Sequence, residues 1–245
     1  KNHVQLRFEG IDALETHYRP QVQGGVTEHQ PLQWGLGACN FMLAALGIQN
    51  VKWGPKKGKV VQAVDGVQGY ILTRAVDSNK YGRPVSFVYA GAAPEKDGAE
   101  VHLTPQRLKK SVNYKLVAAG HAYPTYYQTL FPDLRREFTL AVKRARTAKR
   151  GLWVADKMAG VIYASKKAIT DGHPIFPKLF RRLIEHVQKG GTIGKFKQFL
   201  KDKKDGVLIL PDAHHTDALD YVVKVKGKRV GLTVLPENLV FDPQG

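Results

Sequence analysis

Three charged side chains near the start of the chain have the types and spacing of a hydrolytic site. Arg7 lies in the alternating segment Val4–Phe8, which predicts a half-buried strand, and Asp12 and Glu15 follow Gly10 in the next turn. Because successive strand side chains point to opposite faces, Arg7 projects away from the apolar face. One cation and two carboxylates are therefore expected at one strand end, although a surface strand with a polar turn has the same pattern.

A second cluster of polar residues comes before another predicted strand. Residues 77–83 read Asp-Ser-Asn-Lys-Tyr-Gly-Arg, and the apolar segment 85–89 follows them. This glycine-containing turn is expected to deliver Lys80, Tyr81 and Arg83 to the start of that strand.

Two arginines facing two carboxylates suit the cleavage of a phosphodiester. A guanidinium can take two phosphate oxygens at once and can stabilise the charge that develops on five-coordinate phosphorus. A carboxylate can hold a hard divalent cation or prepare the attacking water. The chemistry that these residue types predict is phosphodiester hydrolysis.

Five short motifs, in order along the chain, make it resemble the staphylococcal nuclease-like (thermonuclease) family over about residues 4–156. Any one of them is a weak signal, but five in register are a specific one. They are Arg7, Asp12-Ala13-x-Glu15-Thr16, Lys80-Tyr81-Gly82-Arg83, Val112-Asn113-x-x-Leu116-Val117-x-x-Gly120 and Ala145-x-x-Ala148-x-x-Gly151-Leu152-Trp153.

The resemblance implies a mainly β fold with helices, in the α+β class: a five-stranded OB-fold barrel capped by three helices, suited to single-stranded nucleic acid. It also implies a calcium-dependent endonuclease that hydrolyses DNA and RNA, prefers single strands and leaves 3′-phosphates. The alternative is an OB-type protein that binds nucleic acid without cutting it.

Roles for individual residues follow from the same resemblance. Asp12 and the backbone carbonyl of Ala13 would bind Ca²⁺, and Glu15 would act as the general base or position the water. Arg7 and Arg83 would clamp the scissile phosphate. The remaining expected substrate-binding residues are Lys80, Tyr81 and Tyr126.

The choice of Tyr126 rests on a loose alignment. The segment 121–127 carries Tyr123, Tyr126 and Tyr127, and the family keeps a tyrosine near this point at the nucleotide pocket. An aromatic ring there can stack on a base. Tyr126 is the predicted pocket residue, and packing is the alternative role for the other two.

Three departures from the family pattern bear on activity. Leu14 stands where the family usually has proline, and Asn79 replaces the usual aspartate of the second motif. The family's first metal ligand lies in an Asp-Gly-Asp-Thr hairpin before the Arg7 strand, whereas this sequence starts at Lys1. We expect either a preceding segment that carries this ligand or an incomplete metal site.

Composition points to a polyanionic partner. The 245 residues carry a formal net charge of +17, and 43% of them are hydrophobic, enough for a substantial core. Basic charge favours DNA or RNA because neutralised phosphates release counterions. No apolar run approaches the ~20 residues of a membrane helix, and family analogy favours a secreted or cell-envelope location over a cytoplasmic one.

The chain is expected to divide into a nuclease-like domain, residues 1–156, and a basic α+β domain of unknown role, residues 157–245. Apolar spacing in the first part predicts a helix at about residues 133–150. In the second part it predicts helices near 179–187 and 193–200, a strand at 207–210 and a hairpin of 220–225 with 230–235 that turns at Lys226-Gly227-Lys228.

Two further sets of residues have the types of a chemical site. Asp212, His214, His215 and Asp217 have the composition of a metal site, but a solvated loop is favoured. The single cysteine, Cys39, has apolar neighbours and is expected to be an inert thiol.

Overall fold

The computed structural model describes residues 4–54, 60–63, 66–76, 82–158, 162–163 and 166–243. Its elements are short strands and helices. The helices are α1 (Leu32–Ala45), α2 (Pro105–Leu108), α3 (Val112–Ala118), α4 (Pro132–Thr147), α5 (Pro177–Gln188) and α6 (Phe196–Lys203). Single helical turns lie at Gly151–Val154, Ala168–Gly172, Ile193–Lys195, Leu219–Val222 and Pro236–Asn238.

The strands are short, and the longest has eight residues. They are β1 (Arg7–Phe8), β2 (Ile11–Ala13), β3 (Val51–Trp53), β4 (Val60–Ala63), β5 (Gly69–Val76), β6 (Pro84–Ala90), β7 (Ala122–Pro124), β8 (Tyr126–Tyr127), β9 (Ile162–Tyr163), β10 (Val207–Ile209), β11 (His214–Thr216), β12 (Val223–Lys226), β13 (Arg229–Leu232) and β14 (Leu239–Phe241).

In the part of the chain that the structure describes, the strands divide over five small sheets: β1-β6-β5, β11-β10-β14-β8, β12-β13-β9, β2-β7 and β3-β4. The α+β class is as predicted. The closed five-stranded barrel is not confirmed, because within the described residues no sheet closes on itself. Gly10, with φ of +77°, turns the chain between β1 and β2, and these two strands then pair in different sheets.

Several predicted elements lie close to their expected positions. The helix expected at 133–150 is α4, whose Leu134, Phe138 and Ala145 are buried. The hairpin expected at 220–235 is β12 with β13, in which Lys226 pairs with Arg229. Helical periodicity and a Lys-Gly-Lys turn were sufficient for these predictions because each is a local property of the sequence.

The hydrophobic core runs without a break from the first part of the chain into the last. One cluster of buried residues joins Ile11 and Phe138 to Phe176 and Phe241. In addition, β14 pairs in parallel with β8, with Val240 opposite Tyr126. Residues beyond 156 therefore share a sheet and a core with residues before it, and the division into two domains stays a prediction.

The helix α5 lies close to the N-terminal loop of residues 17–30. The side-chain amide of Gln188 donates to the Val26 carbonyl at 2.9 Å and its oxygen accepts from the Val26 N–H at 2.8 Å. The Tyr18 ring meets the Phe180 ring edge-on. These contacts fix the position of α5 relative to the segment that carries Asp12 and Glu15.

None of the helices in the described ranges is both long enough and apolar enough to cross a bilayer.

Candidate active site

The two predicted arginines lie at the same end of neighbouring strands. In the parallel pair of β1 with β6, Arg7 lies opposite Val85, and Arg83 directly precedes β6. Two residues 76 positions apart in the sequence are thereby brought to one edge of the sheet.

Asn113, in α3, joins the backbones of these two strands. Its Nδ2 donates to the carbonyls of Glu9 at 2.9 Å and Ser86 at 3.0 Å, and its Oδ1 accepts from the Val88 N–H at 3.0 Å. The residue is fully buried. Its side chain therefore holds in register the strands that carry the two arginines.

The two carboxylates are positioned by strand alternation and by a buried glutamine. In β2, Ile11 is buried, so that Asp12, the next residue along the strand, faces the other way. The Glu15 N–H donates to Gln30 Oε1 at 3.1 Å and the Glu15 carbonyl accepts from the Gln30 N–H at 2.7 Å. Leu14, which replaces the family's proline, packs in the core.

Arg7, Arg83, Asp12 and Glu15 line a single cavity of about 800 Å³. The structure therefore brings together the four side chains expected at the reacting phosphate. Tyr127 also lines the cavity, with its ring centroid 4.7 Å from the Arg7 guanidinium carbon.

An arginine from outside the family-like region binds both carboxylates. Arg181, in α5, donates from Nη1 to Glu15 Oε1 at 2.7 Å and from Nη2 to Asp12 Oδ2 at 2.9 Å. About a quarter of its side chain is exposed. Burial opposes the charged form, but Asp12 and Glu15 outweigh it and raise the pKa of Arg181 above its ordinary value.

Sequence reasoning missed Arg181, although a signal was present. The apolar stripe of α5 includes Leu179, Phe180 and Leu183, so Arg181 had to lie on the polar face of that helix. Periodicity alone does not say which surface the polar face meets.

The cavity is strongly basic: the described residues that line it include eight lysines and arginines and three carboxylates. The cations are Arg7, Arg19, Arg83, Lys178, Arg181, Arg182, Lys189 and Lys203.

Two acids fix the orientation of several cavity cations. Asp205 binds Arg182 at 2.6 Å and Lys178 at 3.2 Å, while Glu185 binds Lys189 at 3.1 Å and also pairs with Lys203. The excess of positive charge around the cavity favours an anionic ligand.

The choice among the three tyrosines requires a correction. Tyr126 is fully buried and its hydroxyl pairs with Thr139 at 3.0 Å, whereas Tyr127 is partly exposed and lines the cavity. Tyr123 is also fully buried and donates to Asp156 at 2.6 Å. The alternation of β8 places Tyr126 in the core and its neighbour in the cavity, so Tyr127 replaces Tyr126 as the candidate substrate contact.

Three other predicted site residues have different outcomes. Lys80 and Tyr81 lie outside the described residues. Ala13 ends β2 opposite Ala122 and does not line the cavity.

The arrangement of the described residues does not fit calcium. Calcium takes six to eight oxygen ligands, whereas in this cavity Asp12 and Glu15 each direct an oxygen to the Arg181 guanidinium. Among the described residues, no group of three or more His, Cys, Asp or Glu side chains could hold a metal ion. The positive charge next to the two carboxylates is supplied by the protein.

The loop of Asp212, His214, His215 and Asp217 is also not a metal centre within the described part of the chain. His215 instead contacts Asp242 at 3.0 Å. Cys39 is half-buried, and burial raises the pKa of its thiol, which agrees with an inert role.

A family model described as staphylococcal nuclease homologue matches residues 5–155. The chain belongs to this family. No curated protein matches the chain. The match covers the strands and helices that carry Arg7, Asp12, Glu15 and Arg83, whereas Arg181 lies outside it.

The other motifs of the nuclease homologue region are architectural. Gly120 and Gly151 both have positive φ. A Cβ atom on Gly120 would strike the Arg150 carbonyl, and one on Gly151 would strike the Gly120 carbonyl. The Leu152 N–H donates to the Gly120 carbonyl at 2.9 Å, and the Trp153 ring packs on Tyr123 and under the Arg146 guanidinium. These residues join the ends of α3 and α4.

Membership in the family indicates a nuclease or a nucleic-acid-binding function.

Proposed function

We propose that the chain is a nuclease that binds single-stranded DNA or RNA in the basic cavity and hydrolyses its phosphodiesters to leave 3′-phosphates. The observation that carries the proposal is that Arg7, Arg83, Asp12 and Glu15 line one cavity in a member of the nuclease homologue family. A secreted or cell-envelope location, suggested by family analogy, belongs to the same proposal.

The arginines have the clearest roles in this proposal. Arg7 and Arg83 would hold the non-bridging oxygens of the scissile phosphate and stabilise the charge that grows on them during attack by water. Asp12 orders this part of the cavity. It attracts Arg7 and accepts a hydrogen bond from Arg181. Tyr127 would stack on a base beside the phosphate.

Glu15 would accept the proton of the attacking water once its contact with Arg181 is released. While that contact holds, Glu15 Oε1 accepts a hydrogen bond from Arg181 Nη1 and is occupied by the guanidinium. Calcium is the cofactor that the family implies, and the cleavage experiment below tests whether the protein requires it. The arrangement around Arg181 does not fit the ion, so each of these roles belongs to a side chain alone.

A second candidate function is nucleic-acid binding without hydrolysis. Arg181 favours this candidate because it binds both carboxylates that the reaction needs. The surrounding cations would still bind the phosphates, with an affinity that falls as salt rises.

Product analysis of an end-labelled single-stranded oligonucleotide distinguishes the two functions. The full chain should shorten the DNA to products with 3′-phosphates both in Ca²⁺ and in a chelator, because the described residues around Arg181 do not fit the ion. Cleavage that the chelator abolishes would show that the ion is required. Arg7→Ala and Arg83→Ala should each lower the rate about 100-fold or more. Arg136→Ala is the matched control, because Arg136 is exposed on α4 and does not line the cavity.

Salt-sensitive binding without shortened products would support the second candidate. The absence of both binding and cleavage would contradict both proposals.

A further inference from the structure

The Arg181 guanidinium lies between Asp12, the side chain that the family resemblance gives as a calcium ligand, and Glu15, the expected general base. It bridges Asp12 and Glu15 with hydrogen bonds of 2.9 and 2.7 Å, and the two carboxylates are themselves only partly exposed. A planar guanidinium carries its charge over a rigid fork and can bridge two acids in this way.

We propose that Arg181 is a built-in counter-ion that lets the cavity bind the phosphates of nucleic acid without a divalent cation. The proposal rests on the proposed binding of nucleic acid in this cavity, but it does not depend on hydrolysis. It assigns a residue of the C-terminal segment to the substrate site of the nuclease homologue region.

The first argument concerns charge. Asp12 and Glu15 repel a phosphate that approaches Arg7 and Arg83, unless a cation compensates them. The Arg181 guanidinium removes one unit of that negative charge and sits in hydrogen-bonding contact with both acids. The cavity then keeps an excess of cations on the surrounding walls, which include Lys178 and Arg182.

The second argument concerns hydrogen bonds. A guanidinium has five N–H donors, and the contacts with Asp12 and Glu15 use two of them. About a quarter of the Arg181 side chain is exposed, and it lines the cavity. Its other donors can therefore bind an oxygen of a phosphate that enters from the cavity.

The third argument concerns the fixed position of Arg181. The α5 helix buries Leu179, Phe180 and Leu183 completely, and Gln188 binds the backbone of the N-terminal loop on one side of the cavity. A cation on such a helix is positioned before the ligand arrives, so little conformational entropy is lost on binding.

The test measures binding of a fluorescent oligothymidylate with phosphorothioate linkages, which slow hydrolysis, by anisotropy. The wild-type chain should bind with the same affinity, within about twofold, in EDTA and in Ca²⁺. Arg181→Met should bind about tenfold more weakly in EDTA, because two uncompensated carboxylates then face the phosphates. Ca²⁺ should restore part of that loss in Arg181→Met alone.

Two further variants separate this effect from misfolding and from general loss of charge. The triple variant Arg181→Met, Asp12→Asn, Glu15→Gln removes the acids with their counter-ion, and it should recover binding in EDTA to within about threefold of wild type. Lys189→Met removes a cavity cation that pairs with Glu185, and its weaker binding should not respond to Ca²⁺. Thermal unfolding of each variant reports whether the fold is kept.

Wild-type binding that requires Ca²⁺ would overturn the role of Arg181 and leave the proposed function intact. Equal binding by wild type and Arg181→Met in EDTA would overturn it as well. A wild-type chain that binds no oligonucleotide in either buffer would instead contradict the proposed function.

Discussion

Arg181 Nη2 lies 2.9 Å from Asp12 Oδ2, although the two residues are 169 positions apart in the sequence. The contact joins a helix of the C-terminal segment to a strand of the nuclease homologue region. Residues of both parts of the chain therefore line the cavity, and substitutions in either part are expected to change ligand binding.

Substitution of Tyr127 should change nucleic-acid affinity, whereas substitution of Tyr126 should change stability. Tyr127→Ala should weaken binding of single-stranded DNA about tenfold, because the cavity loses an aromatic surface for base stacking. Tyr126→Phe should leave the affinity unchanged and lower the free energy of unfolding by about 1 kcal/mol, through loss of the hydrogen bond to Thr139. Anisotropy titrations and urea denaturation measure the two quantities. A larger loss of affinity in Tyr126→Phe would contradict the assignment of Tyr127.

Asn113→Ala should lower both stability and nucleic-acid binding. The substitution removes three hydrogen bonds to the backbone of Glu9, Ser86 and Val88, and we expect it to lower the free energy of unfolding by about 3 kcal/mol. The strands that hold Arg7 and Arg83 should then lose their mutual register. Denaturation and binding assays check the prediction, with Asn40→Ala, at an exposed position of α1, as the control. Equal stability of the two variants would count against it.

Gly120→Ala should destabilise the fold far more than Gly98→Ala. Both glycines have positive φ, +76° and +79°, so both substitutions strain the backbone by about 1 kcal/mol. Only at Gly120 would the added methyl group strike the Arg150 carbonyl, whereas Gly98 has open space. We expect Gly120→Ala to cost about 3 kcal/mol or more, as measured by thermal or urea unfolding. Similar losses in both variants would show that the close approach of Gly120 and Gly151 is unimportant.

Asp205 should make the stability of the fold depend on acid pH. Burial raises its pKa, but the hydrogen bond from Arg182 and the charge of Lys178 outweigh burial and lower the pKa to about 2. A carboxyl whose pKa is lower in the folded state stabilises the fold above its unfolded pKa of about 4, and that stabilisation is lost as the pH falls to about 2. The loss due to Asp205 should be roughly 2 kcal/mol.

Denaturation of wild type and Asp205→Asn between about pH 5 and pH 2 tests this dependence. The difference in unfolding free energy between the two proteins should be largest near pH 5 and should shrink as the pH falls. A difference that stays constant over this interval would contradict the lowered pKa of Asp205.

Local sequence patterns were enough to establish the family, the α+β class and the principal helices. These properties depend on short-range spacing: the buried stripe of α4 repeats at helical intervals, and the motif around Gly120 and Gly151 reflects a close backbone approach that only glycine permits. The four residues Arg7, Asp12, Glu15 and Arg83 were also identified from the sequence motifs, and the structure places them around one cavity.

Long-range packing was needed to establish which tyrosine reaches the cavity and which cation meets the two acids. The alternation of a two-residue strand such as β8 is set by its pairing with β14, a contact between residues far apart in sequence. Helical periodicity likewise put Arg181 on a polar face but could not say that this face meets Asp12 and Glu15. Such contacts are fixed by the packing of the whole core, because a local pattern specifies the face of an element and not its neighbour.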